Sequence, residues 1–236
     1  MYDAILFDLD GTLLDCDNDL FVEAYFSVLA PKIAPFFPNN DFTAPIIRAT
    51  NAMIQSDGTA ASLRQVFIAE FERTTSVRFE EVEPVFLNFY KHDFDVVQKI
   101  AKTLPLARTI LDQARQITPK IVLATIPIFP LIAIEKRLRW AQIEDFPFSL
   151  VTSFENMRFC KPNPSYYREI ADKIDCTPEH CLMIGNDRSD DLSASHAGME
   201  TFLVLDHQIN SGNHQFSPTY TGSLTDLLLF LQSVLT

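Results

Sequence analysis

The chain has 236 residues, with 31 Asp and Glu against 19 Lys and Arg, and hydrophobic residues make up 47% of it. This composition is typical of a globular protein and excludes a mainly disordered chain, while the length suits one full domain with a smaller partner. A formal net charge of −12 argues against a nucleic-acid ligand and against an anionic membrane surface, because both require basic patches.

Glycine and cysteine usage excludes further classes. The six glycines lie too far apart for a dinucleotide-binding turn or a P-loop. The four cysteines form no Cys-x-x-Cys pair, and no basic stretch typical of a signal peptide stands at the start. The longest uncharged apolar run, residues 121–134, is too short to span a bilayer. We therefore expect free thiols, no zinc site and a soluble, cytoplasmic protein.

The first predicted element is a short apolar run over residues 4–7, which indicates a buried strand that meets a loop at Asp8 and Gly11. Residues 17–104 differ, because their apolar side chains recur at helical spacing with little strand signal. Helices are predicted there from residue 17 and over 60–74 and 84–101. This stretch therefore predicts a phenylalanine-rich helical insertion.

From residue 105 onward the pattern alternates between helix and strand. Helices are predicted over 108–116, 129–141, 163–174, 190–197 and 224–235. Strands are predicted over 120–124, 148–151, 181–184 and 201–205, and a polar loop over 206–221. Strands separated by helices indicate an α/β fold with a parallel sheet and right-handed crossovers.

Polar side chains follow three of the predicted strands. Asp8 and Asp10 end the first strand, Thr125 ends the strand at 120–124, and Asp187 follows the strand at 181–184. Ligands of such sheets bind outside the carboxyl ends of the strands. We therefore expect these side chains to meet at one edge of the sheet.

Four carboxylates at this edge suggest a divalent cation. Asp8 and Asp10 are two residues apart and point to the same side of an extended segment. Asp187 and Asp191 are four residues apart and would share one face of a helix. Like charges this close repel unless a cation lies between them, and Mg²⁺ prefers oxygen ligands. The alternative is that these acids are helix caps and solvated turn residues.

Lys161 supplies a cation in the proline-rich loop at residues 161–164. A positioned lysine beside carboxylates suits a phosphoryl group, because it would neutralise that charge. Thr125 could donate a hydrogen bond to a phosphate oxygen. The alternatives are a surface lysine beside a proline turn and a β-branched strand residue.

Four segments together resemble the haloacid dehalogenase superfamily. The sequence FDLDGTL at 7–13 resembles its first motif, and LAT at 123–125 resembles its second. KPNP at 161–164 resembles the third motif, and IGND at 184–187 with Asp191 resembles the fourth. The motifs occur in the family order. The resemblance implies a Rossmann-like parallel α/β core with an α-helical cap inserted after the first motif. The core would comprise residues 1–15 and 105–236, and the cap residues 16–104, with hinges near Asp15 and Pro105.

The resemblance also implies catalytic roles. Asp8 would be the nucleophile that forms an aspartyl-phosphate, and Asp10 would act first as general acid and then as general base. Thr125 and Lys161 would hold the phosphoryl oxygens. Uncatalysed phosphate-monoester hydrolysis is extremely slow, and a carboxylate nucleophile divides it into two easier steps.

A Mg²⁺ site is implied at the same place. Its ligands would be the Asp8 side chain, the Asp10 backbone carbonyl and Asp187, with Asp191 either a ligand or a partner of the ligands. The dehalogenase branch lacks a second aspartate at the position of Asp10 and needs no metal, so this residue favours phosphate over organohalide. Ile126 departs from the family pattern, which often has a polar residue after the threonine.

The expected function is a Mg²⁺-dependent phosphatase that acts on a small phosphorylated metabolite, with no nucleic-acid or membrane partner. A phosphomutase of the same superfamily is one alternative. A phospho-acceptor domain and a non-catalytic binding protein on the same fold are alternatives from other classes.

Overall fold

Helices and strands follow one another along the parts of the chain that this computed structural model describes, residues 2–37, 42–209 and 216–235. The strands are β1 (Ala4–Phe7), β2 (Leu14–Cys16), β3 (Ala101–Thr103), β4 (Ile121–Leu123), β5 (Leu150–Val151), β6 (Cys181–Gly185), β7 (Glu200–Val204) and β8 (Tyr220–Gly222). The α-helices are α1 (Asn18–Ile33), α2 (Thr43–Ile54), α3 (Leu63–Thr75), α4 (Phe79–Asn88), α5 (Ala107–Ile117), α6 (Leu131–Trp140), α7 (Pro164–Lys173) and α8 (Leu224–Val234). No helix in these described ranges is both long enough and apolar enough to cross a membrane.

Six of the strands form one parallel sheet in the order β5-β4-β1-β6-β7-β8. Leu6 of β1 lies opposite Val122 of β4 and Met183 of β6. Every residue of β1, β4 and β6 is buried, so both faces of the central sheet are covered. This confirms the predicted α/β fold. Because β1 lies between β4 and β6, the loops that follow these three strands are neighbours at the carboxyl edge.

The helices α1–α4 lie between β2 and β3, in the stretch for which the sequence predicts a helical insertion. β2 and β3 pair antiparallel, with Leu14 opposite Thr103, so the chain enters and leaves this stretch at neighbouring points. Aromatic rings pack edge to face inside it: the ring centroid of Tyr25 is 5.3 Å from that of Phe89 and 6.3 Å from that of Phe94. The division into core and cap remains a prediction.

The single helix predicted over 84–101 is wrong in detail. α4 is followed by a π-helical turn over Phe89–Asp93 and a 3₁₀ helix over Phe94–Ile100. A carbonyl in the π-helical turn finds its partner outside the helix, because Lys136 Nζ of α6 donates a hydrogen bond to the Lys91 carbonyl at 3.0 Å. Tertiary contacts of this kind are not visible in local periodicity.

Three short strands depart from the predicted elements. β2 and β3 were not expected inside or beside the helical insertion. β8 occupies the end of the polar loop predicted over 206–221, whose residues 210–215 lie outside the described ranges. β8 extends the sheet beside β7, and Thr201 and Thr219 exchange backbone-to-hydroxyl hydrogen bonds of 3.1 Å at its start. Strands of three residues are too short to show an alternating pattern.

Candidate active site

A small polar cavity of about 70 Å³ lies at the carboxyl edge of the sheet, beyond β1, β4 and β6. All six residues predicted for the site line it: Asp8, Asp10, Thr125, Lys161, Asp187 and Asp191. Asn18, Asp190 and Ile209 also line it and were not predicted as site residues. The parallel strand order explains this convergence, because residues far apart in sequence follow adjacent strands.

Lys161 lies between two of the predicted carboxylates. Its Nζ donates to Asp8 Oδ1 at 2.8 Å and to Asp191 Oδ1 at 2.6 Å. The Lys161 side chain is only 1% exposed. Burial alone would lower the pKa of Lys161, but the Asp191 and Asp8 carboxylates outweigh it and hold the pKa well above its usual value. The two carboxylates therefore favour the charged form of Lys161 in the wall of the cavity.

Asp191 connects Lys161 to the loop after β6. Its Oδ2 accepts a hydrogen bond from the Asp187 backbone N–H at 2.8 Å. Gly185 makes this approach possible, since a Cβ on Gly185 would lie 2.1 Å from Asp191 Oδ2. Burial raises the pKa of Asp191 to about 7, and Lys161 opposes the rise. The Asp191 carboxylate thus fixes both Lys161 and the backbone at Asp187.

The expectation that Asp187 and Asp191 share a helix face is wrong. Asp187 Oδ1 accepts hydrogen bonds from the backbone N–H groups of Ser189 at 2.7 Å and Asp190 at 2.9 Å, which closes a turn. Helical structure begins only afterwards, as a short 3₁₀ helix over Leu192–Ala197. An aspartate that bonds its own following backbone favours a turn over a helix.

Thr125 lines the cavity after β4. Thr125 Oγ1 is buried and has no hydrogen-bond partner among the described residues. The backbone carbonyl of Thr125, by contrast, accepts hydrogen bonds from Tyr166 Oη at 2.7 Å and from Thr152 Oγ1 at 3.0 Å. Tyr166 belongs to α7 and was not predicted as a site residue. Its contact fixes the backbone of the loop after β4 and leaves the Thr125 hydroxyl for a ligand.

Arg137 is a further residue that sequence reasoning missed. It lies on the buried face of α6 and forms an ion pair with the carboxylate of Asp10. Its guanidinium lies over the rings of Phe21 and Phe129, 5.5 and 5.7 Å from their centroids. Burial lowers the pKa of Arg137 to about 10, and Asp8 opposes the change. The helical spacing could have indicated that Arg137 is buried, because it lies three residues after the buried Ile134 and therefore on the same face of α6.

Asn186 joins the first and fourth predicted motifs. Its Oδ1 accepts a hydrogen bond from Thr12 Oγ1 at 3.3 Å, and its Nδ2 donates to the His207 carbonyl at 2.7 Å. Gly11 packs against the Asn186 amide with a φ of +79°, and a Cβ there would lie 2.1 Å from Asn186 Nδ2. Both the backbone conformation and the close approach require glycine at this position.

The cavity carries more negative than positive charge. Asp190 is half-buried, and its pKa is raised to about 6, first by desolvation and then by Asp187. Among the described residues, no three His, Cys, Asp or Glu side chains converge as a metal-binding group. The ligand set that the family resemblance implies for Mg²⁺ has the Asp8 and Asp187 carboxylates and the Asp10 carbonyl, with Asp191 either a further ligand or a partner of the ligands. The crowded oxygen donors fit a hard divalent cation, because it would relieve their mutual repulsion.

Comparison with known proteins gives a family match. The family model described as haloacid dehalogenase-like hydrolase matches residues 2–198. Pyrophosphatase PpaX of Bacillus cereus is 22% identical over 204 residues, which cover 85% of this chain and 82% of PpaX. PpaX of Bacillus mycoides matches with the same identity and coverage.

Solved structures share the fold. The HAD phosphatase of Thermococcus onnurineus is 17% identical, with a TM-score of 0.57 over 97% of both chains. The L-2-haloacid dehalogenase of Xanthobacter autotrophicus is 16% identical, with a TM-score of 0.58 over 98% of this chain and 99% of that chain. The same architecture therefore carries different reactions, and the residues of the cavity must decide between them.

Proposed function

The chain belongs to the haloacid dehalogenase-like hydrolase family, and from this premise we propose that it is a Mg²⁺-dependent phosphatase acting on a small phosphate monoester. One observation carries the proposal. Lys161 Nζ bonds Asp8 and Asp191 at the cavity that Thr125 also lines, and the buried Thr125 hydroxyl has no hydrogen-bond partner among the described residues. A carboxylate nucleophile, a fixed cation and a free donor are the groups that phosphoryl transfer needs.

Phosphate binding is assigned to Lys161 and Thr125. Lys161 would neutralise part of the phosphoryl charge, and its position is fixed by two carboxylates. Thr125 would donate its hydroxyl to a phosphoryl oxygen, which would satisfy a buried group that has no partner among the described residues. Tyr166 would act as a positioning residue through the Thr125 carbonyl.

The first chemical step is attack by Asp8 on phosphorus. Lys161 bonds Oδ1 of Asp8, so Oδ2 is the oxygen that we assign as nucleophile. A bond forms between Asp8 Oδ2 and phosphorus while the bond from phosphorus to the ester oxygen breaks. Asp10 gives its proton to the departing alcohol. The product is an aspartyl-phosphate on Asp8.

The second step is hydrolysis of that intermediate. Asp10, now ionised, takes a proton from a water molecule as the water oxygen attacks phosphorus. The bond to Asp8 breaks, and inorganic phosphate leaves with the Asp8 carboxylate restored. Arg137 forms an ion pair with the Asp10 carboxylate, so we assign it as the residue that stabilises ionised Asp10 for this second step, whereas the first step requires a protonated Asp10 and an open ion pair.

Mg²⁺ would be held by the Asp8 side chain, the Asp10 carbonyl and Asp187, close to Asp191. When bound, it supplies charge neutralisation between the anionic nucleophile and the anionic substrate. The names of the PpaX relatives support hydrolysis of a phosphate bond, and the likeness to solved structures supports the fold.

We also propose residues 16–104 as a cap that moves over the core about the β2–β3 pair. The free thiols at Cys16, Cys160, Cys176 and Cys181 support a cytoplasmic location.

The experiment is hydrolysis of 4-nitrophenyl phosphate with Mg²⁺ and with EDTA, by the native protein and by Asp8→Asn. We expect turnover that requires Mg²⁺ and that is lost in Asp8→Asn. Asp57→Asn is the matched control, because Asp57 is exposed and outside the cavity. Turnover by Asp8→Asn at the native rate would remove Asp8 as the nucleophile, and native turnover in EDTA would remove the metal requirement.

A further inference from the structure

A second cavity, of about 190 Å³, lies beside the polar one. Helices α1 to α4 form most of its wall, and the loop after β4 closes it. Aromatic and aliphatic side chains dominate the lining, among them Phe21, Tyr25, Ile46, Phe67, Phe79 and Phe129. We call this space the apolar cavity.

Two chain segments contribute residues to the linings of both cavities. Asn18 lines the polar cavity, and Phe21, three residues or ~4.5 Å further along α1, lines the apolar cavity. Ile126 lines the polar cavity, and Ile128, two residues or at most ~7 Å further, lines the apolar cavity. An ester substituent that extends from the polar cavity along either segment would therefore reach the apolar cavity.

Ile126 makes this connection apolar. It follows Thr125 at the position where the sequence departs from the family pattern, and it packs against the hydrophobic core. An isoleucine here offers no hydrogen bond to a polar leaving group. The departure thus agrees with the character of the neighbouring cavity.

The lining offers little to a polar ligand. No charged side chain lies among the described residues that line the apolar cavity. Tyr25 and Tyr90 bond each other through their hydroxyls at 2.8 Å, and Thr50 Oγ1 donates to the Ile46 carbonyl at 2.9 Å. Asn51 is the one amide side chain among the described lining residues, so most hydroxyl groups of a sugar or nucleotide would face apolar side chains.

We propose that the apolar cavity receives the leaving group of the substrate, and that this group is an aryl or alkyl chain. This inference rests on the proposed phosphatase function and names its substrate class. A dry cavity of ~150 Å³ accommodates benzene, so the space here suits a group of about six to nine carbon atoms. Phe21 and Phe129 pack edge to face with ring centroids 5.7 Å apart, and they form the part of the apolar cavity's lining that contacts Arg137.

Kinetics on a homologous series test the proposal. The substrates are methyl, butyl, hexyl and phenyl phosphate, with glucose 6-phosphate and pyrophosphate for comparison. We expect kcat/KM to rise about fourfold for each added CH₂, the equivalent of ~0.8 kcal/mol, up to the capacity of the cavity. Glucose 6-phosphate should be turned over no better than methyl phosphate.

Two variants narrow the apolar cavity. Val22→Trp starts from a half-exposed residue that lines it, and Thr50→Phe approaches from α2. Each should reduce the ratio of kcat/KM for hexyl phosphate to that for methyl phosphate by at least about tenfold, since part of the gain from chain length is lost. Leu229→Trp is the control, because Leu229 is 58% exposed on α8, and it should keep the native ratio.

Binding of methyl and hexyl phosphonate, measured by calorimetry, separates this inference from the phosphatase proposal. Binding that strengthens with chain length and weakens in both variants supports the apolar cavity even if no ester is hydrolysed. Hydrolysis of all esters with no dependence on chain length keeps the phosphatase and overturns the inference. A preference for glucose 6-phosphate or pyrophosphate overturns it as well.

Discussion

Replacing Lys161 with Met tests the arrangement of charges at the centre of the site. The substitution keeps the length of the side chain and removes a cation that is 1% exposed and bonds Asp8 and Asp191. Removing one partner of a buried ion pair costs about 3–5 kcal/mol, whereas a surface pair contributes about 0–1 kcal/mol. We expect the free energy of unfolding of Lys161→Met to fall by the larger amount.

The size of this loss depends on pH. Burial raises the pKa of Asp191 to about 7 although Lys161 opposes the rise, so the pKa moves higher when Lys161 is absent. A carboxyl whose folded-state pKa exceeds its unfolded value stabilises the fold fully at low pH, and this contribution is lost as pH rises through the folded-state pKa. In the native protein the loss of stability caused by ionisation of Asp191 ends above pH ~7. In Lys161→Met it continues above pH ~7, because the pKa of Asp191 is higher there. The penalty should therefore be larger at about pH 8.5 than at about pH 6.

Urea unfolding followed by circular dichroism at both pH values measures the penalty. Lys99→Met is the control, since Lys99 is exposed, and it should unfold like the native protein. Hydrolysis of 4-nitrophenyl phosphate by Lys161→Met should fall by at least ~10²-fold in kcat/KM, because a preorganised cation is lost. The reasoning about the buried charges would be refuted if Lys161→Met were as stable as the native protein at about pH 8.5. It would also be refuted if the loss of stability in Lys161→Met were the same at both pH values.

Three further substitutions have defined outcomes. Gly11→Ala places a Cβ 2.1 Å from Asn186 Nδ2 at a φ of +79°, so thermal unfolding should show a loss of at least ~1–2 kcal/mol; a native melting temperature would contradict the close approach. Arg137→Met removes the ion pair to Asp10, so kcat should fall while KM changes little, and a rise in KM alone would instead indicate a substrate contact. Tyr166→Phe removes one of two donors to the carbonyl after β4, which should cost about 1 kcal/mol in urea unfolding; no measurable loss would show that the second donor suffices.

The central sheet and the convergence of the candidate site residues on one cavity could be predicted from the sequence. Short apolar runs such as residues 4–7 and 181–184 indicate strands buried on both faces, and alternation with helices indicates a parallel sheet. Once the sheet is parallel, residues directly after its strands must share an edge, which is why Asp8 and Thr125 meet. These inferences need only local pattern and topology.

Other features depend on contacts that no local pattern shows. Arg137 and Asp10 are far apart in sequence, and only the packing of α6 brings them together. The π-helical turn at Phe89–Asp93 forms around long-range aromatic packing and a bond from Lys136. Asp187 and Asp191 lie on a turn because backbone N–H groups compete successfully for the Asp187 carboxylate. The first two features depend on a partner in another helix or strand, and the third depends on an aspartate side chain that bonds the backbone after it.

The most direct test of the account is to identify the phosphorylated residue. Asp10→Asn is mixed with 4-nitrophenyl phosphate and Mg²⁺, quenched in acid, reduced with borohydride and digested for mass spectrometry. The nitrophenolate leaves without a proton, so the first step proceeds in this variant and the second, which needs a base, is slowed. The account predicts reduction of Asp8 to homoserine, whereas release of nitrophenolate with the reduced residue at any other position would contradict it.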